Sequence, residues 1–356
     1  MASWAHGEPT AAGEQQRTPP DLWDAVDSFV DRAPRASDLA YHGLHLLGAR
    51  RYRETGRLVP RDFSAAERNA AVLSLVVPIV LQETRNAYDR TIVLMKGPEV
   101  AVRYRDPVLR PYRDLDLLVP DAEEAQRALL AAGFVTAGSP EPYVDIHHLQ
   151  PLQWPGVPLL LEIHDRPKWP ASLPLPSRAE LLASAVGGCT GVAGILALSP
   201  EHHAMVIAAH SWAHAPLGRL IHLVDLAAVT AGLDRRSLDR TAAELGIRRV
   251  WRTSIGAADA LFEGASSPWA LHLWARHLRA AREPTVFESH VARWLPPWWM
   301  LTPRGAIRAN RSTISRELAP RGDEPWRTKL RRTIRAFRHQ GRRLSDHHRT
   351  LGEEGR

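Results

Sequence analysis

The period of apolar and polar positions changes several times along the chain, and each change predicts an element. In "DLWDAVDSFVDRA", Leu22, Val26, Phe29 and Val30 recur at helical spacing. "SAAERNAAVLSLVVPIVLQETRNAYD" continues as helix, with Ser64 and Glu67 spaced as a capping box and Pro78 as a point of kinking. The apolar run Ile92 to Met95 reads as a short buried strand. Lys96-Gly97 then turns the chain, and Pro98 suits the first turn of a helix. In "RPYRDLDLLVP" the period becomes two: Leu115 and Leu117 face one way, Asp114 and Asp116 the other. Asp121 caps the next helix with Glu124 at its third position, and Gly133 closes it. Two more strands follow in "YVDIHHLQPLQW" and "VPLLLEIH", separated by Pro155-Gly156; in the second, Leu160, Glu162 and His164 share a face. Residues 165–195, rich in Pro and Gly, read as a linker or surface excursion. Ser199 restarts helices that run to about residue 300, and "WRTKLRRTIRAFRHQGRRL" reads as a basic helix.

These elements predict an α+β protein in which a small mixed sheet is flanked by helical segments. The divisions are a disordered leader over 1–20, a helical region over 21–90, a core over 91–165, a second helical region over 166–300, and a basic tail over 301–356.

Composition narrows the setting. The 356 residues are 44% hydrophobic and 24% charged, as in a soluble globular protein. Cys189 is the one cysteine, so no internal disulfide forms, which fits a reducing compartment. No uninterrupted apolar run reaches the ~20 residues of a membrane span, and the first twenty residues lack the apolar core of a signal peptide. A cytoplasmic protein without membrane contact is the expectation. The net charge of +7 is unevenly placed: residues 301–356 hold fifteen Lys+Arg against six Asp+Glu, a net +9, leaving the remainder at −2. That tail offers contact with RNA or another polyanion.

Two carboxylates on one strand face repel unless a positive charge lies near them. Glu162, on a later strand, adds a third; Asp145, on a face with His147, is the alternative. Carboxylates converging from neighbouring strands form a hard oxygen site suited to Mg²⁺, and two such ions would clamp a triphosphate. The turn at Lys96-Gly97, opening onto a helix start, is a seat for phosphate. His210 and His214, four apart on one helix face, have the spacing of zinc ligands and equally of residues lining a cleft.

In order along the chain, "VLMKG" (93–97), "LRPYRDLDLLV" (109–119), "HHL…LLLEIH" (147–164) and "LSPEHHAMVIAAHSWAH…LIHLVDLAAV" (198–229) resemble the nucleotidyltransferase superfamily typified by DNA polymerase beta. They resemble more closely a family of uncharacterised bacterial nucleotidyltransferases. The resemblance spans roughly residues 22–300. It implies transfer of an NMP group from an NTP such as ATP to a hydroxyl, with release of pyrophosphate. Asp114, Asp116 and Glu162 would be the catalytic and metal-binding set for two Mg²⁺ ions. Lys96, Gly97, Arg110, Arg113, His210 and His214 would contact the nucleotide. The acceptor stays open between a small molecule, a peptide, a protein and RNA. Two features depart from the wider superfamily: Lys96-Gly97 replaces its Gly-Ser, and Arg113 stands where a small residue is usual. A catalytically silent nucleotide- or partner-binding protein and a His-cluster metal-dependent hydrolase are therefore the alternative readings.

Overall fold

The computed structural model describes residues 21–138, 147–319 and 324–338. Four helices open the described chain: α1 (Leu22–Arg32), α2 (Ala36–Tyr41), α3 (His45–Glu54) and α4 (Arg61–Ala87). The sheet region follows with β1 (Ile92–Leu94), α5 (Pro98–Ala101), β2 (Asp114–Leu118), α6 (Ala122–Ala131), β3 (Val135–Thr136), β4 (Leu152–Gln153), β5 (Leu160–His164), α7 (Arg178–Ala183), β6 (Val186–Gly187) and β7 (Ile195–Ala197). Then come α8 (Pro200–His214), α9 (Leu220–Thr230), α10 (Arg235–Glu244), α11 (Arg248–Ala258), α12 (Trp269–Leu273), α13 (Arg276–Arg279), α14 (Val286–Trp294), α15 (Pro297–Met300), α16 (Pro303–Leu318) and α17 (Trp326–Arg338).

The seven strands form one mixed sheet in the order β3-β4-β5-β2-β1-β7-β6. β2 runs antiparallel to β1 and parallel to β5; β1 runs parallel to β7. Period two sorts the strand residues into opposite layers. Ile92, Leu94, Leu115, Leu117, Leu161 and Ile163 pack with Leu73, Val77, Val80 and Leu81 of α4 and with Ala125 and Leu129 of α6. Val93, Met95 and Leu118 pack the other way, into the larger core built on α8, α9 and α11. Asp114, Asp116, Glu162 and His164 therefore project toward α8 rather than α4.

Several local expectations hold and several are corrected. Asp121 caps α6 by accepting from the Glu124 N–H. The capping box at Ser64 does not form, because α4 begins a turn earlier at Arg61, after Pro60, and runs through Pro78. Residues 165–195 are more than a linker: they contain α7 and β6, and β7 begins at Ile195. A strand of three residues that is buried by its neighbours carries too little periodicity to be read from sequence. Ser199 is the N-cap of α8 without a side-chain capping bond. The run Ala70–Gln82, too short by itself for a membrane span, lies within α4, which among the described residues is the one helix long and apolar enough to span a bilayer. Its inner side covers the sheet, while Val72, Leu75 and Ile79 are exposed. The basic tail contributes α16 and α17, and Ala306 of α16 is fully buried. The leader 1–20 and residues 339–356 lie outside the described residues.

Candidate active site

The parallel register of β2 and β5 sets Asp116 beside Glu162 and Leu118 beside His164. With period two, Asp114, Asp116, Glu162 and His164 form one polar patch on an otherwise apolar sheet. Asp116 is 2% exposed and His164 fully buried. His164 Nε2 lies 3.1 Å from Asp116 Oδ1 and 3.5 Å from Glu162 Oε2. These three groups form a ligand-spaced cluster, with one donor atom each inside 4.8 Å of the others. Asp114 stands outside that group, one strand step away. Asp145 lies outside the described residues.

The positive charge near the carboxylates is Lys96. Its Nζ lies 2.9 Å from Asp116 Oδ1 and donates to His210 Nδ1 at 3.2 Å. The chain delivers Lys96 there through Gly97, which holds φ 65° and ψ −119° as the N-cap of α5, a conformation open in practice to glycine alone. His214, one turn beyond His210, accepts instead from Lys168 Nζ, which lies 2.8 Å from Nε2 and 3.1 Å from Nδ1. An ammonium thus faces each histidine of the pair, an arrangement unsuited to holding a cation between them.

The charges sort by surroundings. Burial raises the Asp116 carboxyl, but the Lys96 ammonium and the contact with His164 outweigh it and hold Asp116 well below the usual range. Burial likewise opposes ionisation of Glu162, and contact with His164 still leaves it lowered. Asp114 is pushed up to about 6, by burial first and by the Asp116 charge second. Burial and then Lys96 keep His210 well below its ordinary value, so the imidazole is neutral and accepts from the ammonium. Burial, then Lys168, brings His214 to about 4; burial, then His164, brings His147 to about 3.

The remaining predicted residues divide. Arg110 is buried and makes two bonds of 2.9 Å to Asp225 of α9, which also accepts from Tyr104 at 2.6 Å. Its third nitrogen reaches the Gly97 carbonyl at 3.4 Å, behind the Lys96-Gly97 turn. Arg113 is exposed on the opposite side of β2. It lines a cavity of about 650 Å³ with His45, Tyr112 and Cys189, beside α4 and apart from the carboxylates. Sequence reasoning placed Glu162 and His164 on one face but gave His164 no part. The alternation in "LLLEIH" was the available signal.

Buried Asp116 and half-buried Glu162 thus stand in register across two parallel strands, with His164 between them and the Lys96-Gly97 turn beside them. The chain belongs to the family described as uncharacterised nucleotidyltransferase, whose model matches residues 31–263. No curated protein and no solved structure matches the chain.

Proposed function

We propose that the protein transfers a nucleotidyl group from an NTP, with ATP the first to offer, to a hydroxyl acceptor, releasing pyrophosphate. The observation that carries this reading is the registered pair Asp116 and Glu162, faced by Lys96 and the imidazoles of α8. The donor set suits a divalent cation: carboxylate oxygens from both strands converge beside Nε2 of buried His164, one donor atom from each within 4.8 Å of the others. Asp116 and Glu162 would hold the ion, Mg²⁺ in the family pattern, with Asp114 as the further carboxylate for a second. Such an ion supplies charge neutralisation at the phosphates and lowers the pKa of an oxygen bound to it. Glu162, at the more open edge of the patch, orients the acceptor hydroxyl and takes its proton. Lys96 and Lys168 attract the triphosphate, and the turn at Gly97 gives it room. Arg110 acts through the turn: its bonds to Asp225 and Gly97 fix the backbone beside the phosphates. The lone, exposed Cys189 fits a reducing, cytoplasmic setting.

The test is thermal unfolding and label transfer with α-labelled NTPs, a divalent cation and a cell extract, comparing the parent with Asp116→Asn and Glu162→Gln. Asp116→Asn should lose both the NTP-dependent stabilisation and transfer. Glu162→Gln should keep part of the stabilisation and lose most turnover. A full NTP shift in Asp116→Asn overturns the site. One observation favours a catalytically silent nucleotide-binding protein: Lys96 already neutralises Asp116. NTP binding without label transfer would establish that second reading.

A further inference from the structure

We infer that His164 is an inner ligand of the metal, and that the site takes a first-row transition-metal dication in preference to Mg²⁺. The inference deepens the proposed function and rests on it only for the presence of a metal site. It starts from a buried imidazole whose near polar neighbours are two carboxylate oxygens, with no well-aligned hydrogen bond to either. His164 is fully buried, yet neither ring nitrogen makes a hydrogen bond. Such groups cost stability unless something completes them, and nearly all are completed. Two carboxylate oxygens lie near Nε2; burial opposes a charge on the ring, but those carboxylates outweigh it and raise its pKa, so without a metal the site holds a positive charge of its own, which a dication would replace.

The spacing is that of atoms sharing one ion. Donors about 2.1 Å from a common cation lie roughly 3.0 Å apart at right angles and roughly 3.4 Å apart in a tetrahedron. The observed separations are 3.1 Å from Nε2 to Asp116 Oδ1 and 3.5 Å to Glu162 Oε2. The neighbouring ring agrees. His148 Nδ1 donates to the Leu149 carbonyl at 2.7 Å. Its Nε2 lies 3.6 Å from Glu162 Oε2. A backbone carbonyl orienting the far nitrogen is the usual support of a metal-binding imidazole. Asp116, Glu162 and His164 all project from strands, so their placement does not depend on loop closure.

Donor chemistry then decides the ion. Mg²⁺ demands oxygen ligands and gives up water reluctantly. Imidazole nitrogen favours the first-row dications, with affinity rising from Mn²⁺ toward Cu²⁺ and zinc also well suited. The ion is placed at Asp116, Glu162 and His164, not at His210 and His214: an imidazole nitrogen has one lone pair, given there to a lysine, whereas the Asp116 carboxylate holds Lys96 and keeps lone pairs for a cation.

The experiment uses the full chain, stripped with chelator and titrated calorimetrically with Mn²⁺, Zn²⁺ and Mg²⁺. Mn²⁺ should bind about tenfold or more tightly than Mg²⁺, and His164→Gln should erase most of that preference while changing Mg²⁺ affinity little. Pulsed EPR of bound Mn²⁺ should show nitrogen coupling that changes frequency when histidine alone is ¹⁵N-labelled; this needs no variant and so stands even where His164→Gln fails to fold. Mn²⁺ binding with no nitrogen coupling and no preference over Mg²⁺ overturns the role of His164 and leaves the proposed function intact. Absence of binding by any of the three, with and without ATP, overturns both.

Discussion

Lys96 places its ammonium 2.9 Å from Asp116 Oδ1, and the two side chains, 13% and 3% exposed, form an ion pair largely closed to water. This contact is what allows two aspartates on one strand face. It also makes Asp116 dependent on a partner 20 residues away in sequence.

The first prediction concerns that dependence. Lys96→Met should destabilise the metal-free protein by about 3–5 kcal/mol, the range for removing one partner of a buried pair. Asp116→Asn should also destabilise it in EDTA. It relieves repulsion from Asp114 across roughly 6.6 Å, two strand residues, but gives up an attraction at less than half that distance. The double variant should recover part of either loss. Denaturant unfolding of all four proteins in EDTA checks this; additivity of the single effects would contradict it.

Arg110 gives a second prediction. Its two bonds to Asp225 lie in the interior with Tyr104 on the same carboxylate. Arg110→Ala should lower stability by about 3–5 kcal/mol without any nucleotide present. Arg110→Lys should recover little, because an ammonium cannot make both bonds of the planar fork. Urea unfolding without ligand is the measurement, and an unchanged midpoint would leave Arg110 free for direct phosphate contact.

The third concerns acid. Burial holds His42 at about 3, and its neutral ring is fully used: Nε2 donates to the Arg282 carbonyl at 2.8 Å and Nδ1 accepts from the Leu220 N–H at 3.3 Å. His203, 3% exposed, lies at about 4 for the same reason of burial. Between pH 6.5 and those values the unfolded chain binds protons that the folded chain refuses. The stability these two histidines carry should therefore be fully present above pH 6.5 and fall with acid by about 1.4 kcal/mol per pH unit for each, while His164, raised against burial by its carboxylates, contributes in the opposite sense. Asp114, held at about 6, opposes this with one proton over the range from pH 6 down to its ordinary value. Melting temperatures from pH 8 to 4.5 should drop below 6.5, less steeply in His42→Gln if that variant folds. A flat profile would contradict the assignment.

The fourth concerns the tail. Ala306 is fully buried, so cutting at residue 300 would open the body, whereas α17 exposes Trp326, Leu330 and Ile334 among arginines. A chain ending at residue 319 should keep its melting temperature and lose affinity for RNA or heparin, and the parent's affinity should fall as salt rises. Equal affinity in the shortened chain would assign polyanion contact elsewhere.

Where a segment carried its own pattern, the sequence was enough. Asp114 to Leu118 alternated cleanly and proved to be β2; Asp121 and Glu124 announced α6. The family resemblance followed the same stretches. What stayed hidden was set by partners far along the chain. β7 is three residues long and is a strand because β1 and β6 pair with it. The start of α4 was settled by Pro60 and the packing of Phe63, not by the Ser64–Glu67 spacing. His164 was on the right face, but only the register with β2 brings it to Asp116. Arg110 read as a phosphate ligand because its partner, Asp225, lies 115 residues on.

The pairing of Ile92 with Ile195 spans 103 positions. At ~5–20 residues per second, a ribosome needs roughly 5–20 s to supply the second strand after the first. Throughout that interval β1 can pair with β2 on one side, while its other edge, flanked by Ile92, Val93 and Leu94, is left open to any other strand. Long loop closure must precede the parallel contact, which slows it further. The nascent chain therefore passes through a long-lived stage in which the strand leading to Lys96 is its most adhesive part, and the protein's yield in a cell should depend on how well that edge is shielded until residue 197 emerges.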